Sequence, residues 1–220
     1  TLYDYQFNVF EDLRAFLEQG ETKGYVKLPP GTGKTVIYTE FVEAIGVKTL
    51  ILVPTQFLIE QTRDEFKEFA QGVSVGSVYE HEKDYSKNVT IMTYASFLSE
   101  GKKGSMHPKD YGCLVLDEAH KALTDKKKEL IDQFDHAIIL GFTATPAYAE
   151  DKKLADILPI EIHAMSIDEA VEIGALAPWT NMLALPDADI SGVRISGGDY
   201  HEQDLAPKIN KEVLNYAAVK

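Results

Sequence analysis

One short segment constrains the fold of this chain more than any other: residues 28–35 read LPPGTGKT. The segment follows an apolar stretch and precedes a helical pattern, which is the context that a phosphate-binding loop requires. Pro30, Gly31, Thr32 and Gly33 would let backbone N–H groups turn toward an anion at the start of a helix. Lys34 would reach the β- and γ-phosphates of a nucleotide, and the Thr35 hydroxyl would bind Mg²⁺. The complete motif has Gly where this chain has Leu28, and an ordinary glycine turn beside a surface lysine is the alternative interpretation.

The rest of the first 150 residues alternates short apolar runs with amphipathic stretches. The apolar runs predict strands over residues 24–28, 49–53, 73–78, 89–93, 114–116 and 137–140. Most of these runs are continuously apolar, as is usual for strands that are covered on both faces. Apolar residues at helical spacing occupy residues 3–17, 37–45 and 58–69, each shortly before a glycine. This alternation predicts an α/β fold with a parallel sheet and helices on both sides.

Asp117 and Glu118 form a second candidate site, because they follow an apolar run that ends at Leu116. In a chain with a phosphate-binding loop, this pair predicts that Asp117 binds Mg²⁺ and that Glu118 orients or deprotonates the attacking water. An Asp-Glu pair after a strand is by itself more often a solvated strand end or a helix N-cap. The combination with Lys34 and Thr35 favours the catalytic interpretation.

The composition restricts the partners and the compartment. The 22 Lys and Arg against 35 Asp and Glu give a formal net charge of −13, which is unlike a basic nucleic-acid-binding domain. No apolar run approaches the roughly 20 residues that a bilayer span needs, so no membrane partner is expected. Cys113 is the single cysteine and cannot form an internal disulfide. This predicts the cytoplasm or another reduced intracellular compartment.

Five segments together resemble the motifs of the superfamily-two helicases, and they occur along the chain in the order that this family has. Residues 117–120 (DEAH) resemble the DEAH box, and residues 141–146 (GFTATP) resemble motif III. Residues 2–6 (LYDYQ), 52–55 (LVPT) and 93–97 (TYASF) resemble the Q motif, motif Ia and motif Ic. The resemblance is strongest to the branch of type I and type III restriction motors and excision-repair translocases, since residues 168–178 resemble the segment that follows motif III there.

The resemblance implies a RecA-like P-loop NTPase domain over residues 1–177, with a boundary near Ala177-Pro178. Residues 178–220 are then an interdomain linker and the start of a second RecA-like domain. The residue pattern itself predicts a strand over 179–185, a Gly-, Asp- and Ser-rich loop over 187–199 and a helix over 208–219. The remainder of that second domain is the partner that this chain lacks. We therefore expect a fragment that binds nucleotide and hydrolyses it weakly.

The resemblance also implies roles for individual residues. Gln6 would hydrogen-bond the edge of adenine. Contacts to nucleic acid are implied for Pro54, Thr55, Gln56, Thr93 and Tyr94. Coupling between the ATP site and nucleic acid is implied for His120, Thr143 and Thr145. For Thr93 and Tyr94 an ordinary strand end is the alternative, and for His120 a solvated helix histidine.

The predicted function is that of an ATP- and Mg²⁺-dependent helicase or translocase motor that moves along or unwinds nucleic acid, with DNA favoured over RNA. Three alternatives stay open: a double-strand DNA translocase without strand separation, an RNA helicase, and a non-catalytic, nucleotide-gated binding module. Intact Lys34, Thr35, Asp117 and Glu118 argue against the last. The lysine run 126–128 is interpreted as a solvated helix face.

Overall fold

The computed structural model describes residues 2–79, 82–145, 147–149, 152–178, 195–196 and 199–200. The chain divides into two compact units, Thr1–Ala177 and Pro178–Lys220. The strands are β1 (Lys23–Lys27), β2 (Thr49–Val53), β3 (Val75–Tyr79), β4 (Glu82–Lys83), β5 (Val89–Thr93), β6 (Cys113–Asp117), β7 (Ile138–Thr143), β8 (Ala147–Ala149), β9 (Lys152–Lys153), β10 (Ile160–Ala164), β11 (Ile195–Ser196) and β12 (Asp199–Tyr200). The helices are α1 (Asp4–Glu18), α2 (Lys34–Ile45), α3 (Gln56–Phe69), α4 (Tyr94–Lys103), α5 (Asp125–Ile131) and α6 (Ile167–Glu172).

An eight-stranded sheet forms the centre of the first unit, in the order β10-β1-β7-β6-β2-β5-β3-β4. Neighbouring strands are parallel, except that β4 runs antiparallel to β3. The carboxyl ends of the parallel strands therefore meet along one edge of the sheet, where the loops that follow them can place side chains together. The predicted α/β fold with a parallel, RecA-like sheet is confirmed.

Apolar packing on both faces of the sheet explains why its central strands are continuously apolar. Every residue of β2, β5 and β6 is buried. One hydrophobic cluster includes Val9 of α1, Ile37 of α2 and Phe66 of α3, and a second includes Phe97 of α4 and Ile131 of α5. Each fully buried large apolar side chain contributes about 1.5–3 kcal/mol relative to exposure. None of the helices in the described residues is long and apolar enough to cross a membrane.

Some elements differ from the predicted ones. The strand predicted over 137–140 is β7, which continues to Thr143, and the predicted strand over 73–78 begins at Val75. Helix α4, the edge strand β10 and the short strands β4, β8, β9, β11 and β12 were not predicted. The residues of β10 are only half-buried or exposed, so this strand lacks the continuous apolar run of a central strand.

In the second unit, the described residues form the strands β11 and β12, which pair antiparallel. The predicted loop over 187–199 is therefore wrong at Ile195, Ser196 and Asp199. The strand predicted over 179–185 and the helix predicted over 208–219 lie outside the described residues.

Candidate nucleotide-binding site

The loop between β1 and α2 has the backbone conformation of an anion-binding nest. Gly31 and Gly33 have φ values of 83° and 73°, in the left-handed region that favours glycine. A Cβ atom on Gly33 would lie 2.5 Å from Nε2 of Gln6, so this position requires glycine for its space as well as for its backbone. The hydroxyl of the buried Thr32 donates to the carbonyl of Pro29 at 2.8 Å, which fixes the turn from within, while Pro30 is exposed at its rim.

Lys34 begins α2 and places its ammonium group between the loop and the acidic pair. Its side chain is only 9% exposed, and Nζ donates to the carbonyl of Leu28 at 3.3 Å and lies 3.6 Å from Oε1 of Glu118. Leu28, at the place of the usual glycine, is fully buried in the core, and its N–H donates to the Thr143 carbonyl at 3.0 Å. A buried cation beside a glycine nest is an arrangement that fits the phosphates of a nucleotide.

Asp117 ends β6 with its carboxylate almost out of water. Its Oδ1 accepts a hydrogen bond from the Glu118 N–H at 3.1 Å. Burial, together with the charge of Glu118, raises the pKa of Asp117 to about 6, although the charge of Lys34 opposes both effects. An added cation would therefore stabilise the ionised carboxylate.

The residues present fit a Mg²⁺ ion that is completed by water and phosphate. Among the described residues, no group of three or more His, Cys, Asp or Glu could hold a metal. Thr35 and Asp117 offer one hydroxyl and one carboxylate, and Mg²⁺ is commonly bound by one or two carboxylates together with water and substrate phosphates. Both side chains interact with Tyr38: its pKa is raised by burial and by the Asp117 carboxylate, and lowered by a hydrogen bond to Thr35.

A chain of polar contacts leads from Glu118 to the end of β7. Oε2 of Glu118 lies 3.4 Å from Nδ1 of His120, and the same nitrogen lies 3.0 Å from Oγ1 of Thr143. The Thr143 hydroxyl accepts from the Thr145 N–H at 3.1 Å and can donate to its carbonyl. Burial lowers the pKa of His120, against the opposing charge of Glu118. The structure thus places the three predicted coupling residues in one network with the acidic pair.

Gln6 connects α1 to the phosphate-binding loop. It is 4% exposed; its Nε2 donates to the Thr32 carbonyl at 3.3 Å, and its Oε1 accepts from the N–H of Tyr3 at 3.0 Å. The Tyr5 hydroxyl donates to the same Thr32 carbonyl at 2.9 Å. The Gln6 side chain thus contacts both the start of α1 and the phosphate-binding loop. Its contact with adenine stays a prediction.

A cavity of about 870 Å³ opens beside these residues, within the range of small-molecule sites. Its lining includes Tyr3, Tyr5 and Gly31, and also Met165, Glu169 and Ile173. The last three were not predicted as site residues. Glu169 and Ile173 lie in the segment that resembles the one following motif III, but that resemblance implied no role in the site for them.

The residues predicted to contact nucleic acid are placed differently from one another. Thr55 and Gln56 are exposed and Pro54 is half-buried at the carboxyl end of β2, where the Thr55 hydroxyl caps α3 by accepting from the Leu58 N–H at 3.4 Å. Thr93 is buried and caps α4.

Tyr94 is 4% exposed, and its hydroxyl donates to the Asp117 carbonyl at 2.9 Å. Its side chain therefore contacts the acidic pair, and sequence reasoning missed this role. A contact between Tyr94 and nucleic acid stays a prediction that only its backbone could fulfil in this conformation.

The lysine run 126–128 corrects another prediction. Lys126 is exposed, but Lys127 lies 5.0 Å from the centre of the Tyr94 ring and donates to the Lys121 carbonyl at 2.5 Å. Lys128 lies 3.7 Å from Asp156. The solvated-face interpretation is wrong for Lys127 and Lys128, because a run of like charges does not reveal the tertiary contacts of each member.

Comparison with known proteins agrees with this geometry. Residues 1–148 match the family described as type III restriction enzyme, res subunit. The DNA 3'-5' translocase XPB2 of Sulfurisphaera tokodaii is 30% identical over 175 residues, which are 78% of this chain and 36% of that protein. The type I restriction enzyme EcoAI endonuclease subunit of Escherichia coli is 23% identical over 205 residues, 88% of this chain and 25% of that protein.

Among solved structures, the ATP-dependent type ISP restriction-modification enzyme LlaBIII bound to DNA shares the fold with a TM-score of 0.61 at 18% identity. The match covers 79% of this chain and 15% of that one. The chain thus spans about a third or less of the length of these three proteins.

Proposed function

The chain belongs to the type III restriction enzyme res subunit family, as a first motor domain of the superfamily-two helicases, and we propose that it binds and hydrolyses ATP to drive movement along nucleic acid. One observation carries the proposal: Nζ of Lys34, from the phosphate-binding loop, lies 3.6 Å from Oε1 of Glu118, at the end of another strand. Two motifs separated by more than 80 residues of chain therefore meet at one site.

The Lys34–Glu118 ion pair suggests how phosphates would reorganise the site. The phosphates of ATP carry more negative charge than one carboxylate, so they would take over the ammonium group of Lys34. Glu118 would then lose its partner and accept a proton from the attacking water as a general base. A bound Mg²⁺, held by Thr35 and Asp117, would neutralise charge on the phosphates.

The network from Glu118 through His120 and Thr143 to Thr145 supports a role in coupling. A change at the Glu118 carboxylate alters the hydrogen bonds of His120, and these continue to the segment that follows β7. We propose that this network reports the state of the nucleotide to the nucleic-acid-binding edge.

The exposed carboxyl end of β2 supports a nucleic-acid contact. The Thr55 hydroxyl, the Gln56 amide and neighbouring backbone N–H groups, after Pro54, would bind phosphates and position the strand without reading its sequence. The similarity to a relative named as a DNA translocase, and to a restriction enzyme solved with DNA, supports DNA as the track. Residues 178–220 are proposed to lead into the second RecA-like domain, which would close over the bound ATP.

Nucleotide binding by Lys34→Ala tests the proposal. Loss of the ammonium group removes charged hydrogen bonds worth about 1.5–3 kcal/mol, so we expect ATP affinity to fall about 10- to 100-fold in a fluorescence titration with a labelled ATP analogue. Lys87→Ala, at an exposed position outside the site, is the matched control and should bind as the unchanged protein does. Equal affinity of Lys34→Ala and the control would overturn the phosphate-binding role.

A further inference from the structure

Glu118 has a strained backbone at the point where the chemistry is proposed. Its φ of 47° and ψ of 57° are left-handed, and among the described residues it is the only one other than glycine with a positive φ. For a residue with a Cβ atom this conformation costs free energy, and it persists only where surrounding contacts over-determine it. Contacts on both sides of Glu118 must therefore supply that restraint.

The contact before Glu118 comes from Tyr94. Its hydroxyl donates to the carbonyl of Asp117 at 2.9 Å from a ring that is only 4% exposed. This carbonyl belongs to the planar peptide unit that directly precedes Glu118. The φ angle of Glu118 describes the rotation about the bond from that unit to Cα, so holding the carbonyl restrains φ.

The contact after Glu118 comes from Lys127. Its ammonium group donates to the carbonyl of Lys121 at 2.5 Å, and the N–H of Lys121 in turn donates to the carbonyl of Glu118 at 2.9 Å. The same ammonium group lies 5.0 Å from the centre of the Tyr94 ring, within the range of a cation–π interaction. Lys127 therefore contacts the restraints on both sides of Glu118.

We propose that Tyr94 and Lys127 act together as a clamp that holds Glu118 in its left-handed conformation, and that both are positioning residues for the attack of water on ATP. This inference rests on the proposed function of Glu118. The clamp needs no contact with the nucleotide, because it acts through the backbone between Asp117 and Lys121. It gives the second residue of the lysine run a role that its neighbour Lys126 does not share.

Steady-state ATP hydrolysis by Lys127→Met tests the clamp. This change keeps an unbranched side chain that is only one atom shorter and removes the charge. We expect kcat to fall about 10- to 100-fold, because small misplacements of a catalytic group cost on that order, while KM for ATP changes less than about twofold, since the phosphate-binding loop is untouched. Lys127→Arg keeps the cation over the ring and should recover most of kcat. Lys126→Met, exposed on the same helix, is the matched control and should equal the unchanged protein.

A double-mutant cycle separates positioning from a general structural effect. Glu118→Gln should leave only a small residual rate, which single-turnover kinetics with excess enzyme can measure. If Lys127 acts through Glu118, then adding Lys127→Met to Glu118→Gln should lower this residual rate no further. The same fold-loss in both backgrounds would overturn the clamp. Tyr94→Phe keeps the ring and removes the hydrogen bond to Asp117, so it should lower kcat in the same direction with ATP affinity unchanged, and it repeats the test if Lys127→Met does not fold.

The outcomes distinguish the inference from the proposed function beneath it. Equal turnover of the unchanged protein and Glu118→Gln would contradict the proposed function itself. A loss of turnover in Glu118→Gln, together with normal kcat in both Lys127→Met and Tyr94→Phe, would contradict the clamp alone.

Discussion

The charged side chains of the site are held mostly out of water, and their chemistry depends on this. Lys34 is 9% exposed and Asp117 is 7% exposed. In such surroundings the attraction between Lys34 and Glu118 is stronger than at a solvated surface, and burial raises the pKa of Asp117 to about 6. Both effects prepare the site for charged partners: phosphates for the ammonium group, and a cation for the carboxylate.

Gly33 provides a test at the scale of one residue. In Gly33→Ala, the new methyl group would lie 2.5 Å from Nε2 of Gln6 and would displace either the loop or the glutamine. We expect ATP affinity to fall about tenfold or more, since a small displacement of the nest removes several backbone contacts to phosphate at once. Isothermal titration calorimetry with ATP and Mg²⁺ measures this directly.

Gly46→Ala is the matched control at the other end of the same helix. Gly46 also has a left-handed backbone, with a φ of 62°, but no atom lies within 4 Å of its added Cβ. The control should lose about 1–2 kcal/mol of stability and keep its ATP affinity. Similar ATP affinities for the two variants would contradict the prediction that the space beside Gly33 positions the phosphate-binding loop.

Site residues that belong to a local motif could be predicted from the sequence, whereas residues that reach the site through contacts distant in sequence could not. Lys34 and Thr35 belong to a local motif whose glycines and helix start lie within a few residues, and they lie where the motif requires. Tyr94 and Lys127 reach the acidic pair only through tertiary contacts, with the Tyr94–Asp117 hydrogen bond spanning 23 residues. No periodicity or motif in a single sequence marks such contacts, so the contact of Tyr94 with Asp117 and the contacts of Lys127 were not predicted.

Helix α4 shows how an element behind the site is anchored to the sheet. It begins at the end of β5, with Tyr94 in its first turn, and its Glu100 is 4% exposed. The Glu100 carboxylate accepts from Nζ of Lys83 on β4 at 2.9 Å, from the Tyr85 hydroxyl at 3.1 Å and from Nζ of Lys103 at 3.2 Å. The hydrogen bonds from Lys83 are the largest cause that lowers the pKa of Glu100 to about 2.

The lowered pKa predicts a pH-dependent contribution to stability. A carboxyl group whose pKa is lower in the folded chain stabilises it above the unfolded pKa and loses this effect as pH falls toward the folded pKa. At pH 7, Glu100→Gln should therefore lower the free energy of unfolding by on the order of 1–3 kcal/mol. The difference from the unchanged protein should shrink as pH falls from about 4.5 toward about 2. Urea unfolding at a series of pH values measures this difference.

Glu129→Gln, at an exposed position on α5, is the control for Glu100→Gln and should change stability little at any pH. A stability loss in Glu100→Gln that is the same at pH 7 and at pH 3 would show that packing of the side chain, and not its charge, matters at this position.

The central elements of the sheet were predictable because burial on both faces leaves a clear trace in the sequence. β2, β5 and β6 are apolar at nearly every position and were all predicted. β10 was missed because an edge strand that is half-buried has no such run, although it pairs parallel with β1 through Gly24 and Tyr25. Its place in the sheet is set by the rest of the fold.

For the whole molecule, the net charge of −13 repels nucleic acid at long range, so the proposed binding would depend on local contacts at the carboxyl edge of the sheet. We therefore expect binding by this chain to be weak and to weaken further with salt.

The division of the chain between Ala177 and Pro178 coincides with the boundary proposed between the first motor domain and the segment that leads to the second.

The single cysteine, Cys113, is fully buried, and burial raises its pKa to about 12. Its thiol is therefore held in an unreactive form.

Steady-state ATP hydrolysis by the protein, with single-stranded DNA, duplex DNA and RNA added in turn, tests the central claim most directly. Glu118→Gln serves as the blank, because it should retain ATP binding and lose turnover. We expect Mg²⁺-dependent hydrolysis that DNA stimulates more than RNA does, and that Glu118→Gln reduces to a small residual rate. Hydrolysis that is unaffected by all three polymers, or that continues at the same rate in Glu118→Gln, would contradict a nucleic-acid motor powered at this site.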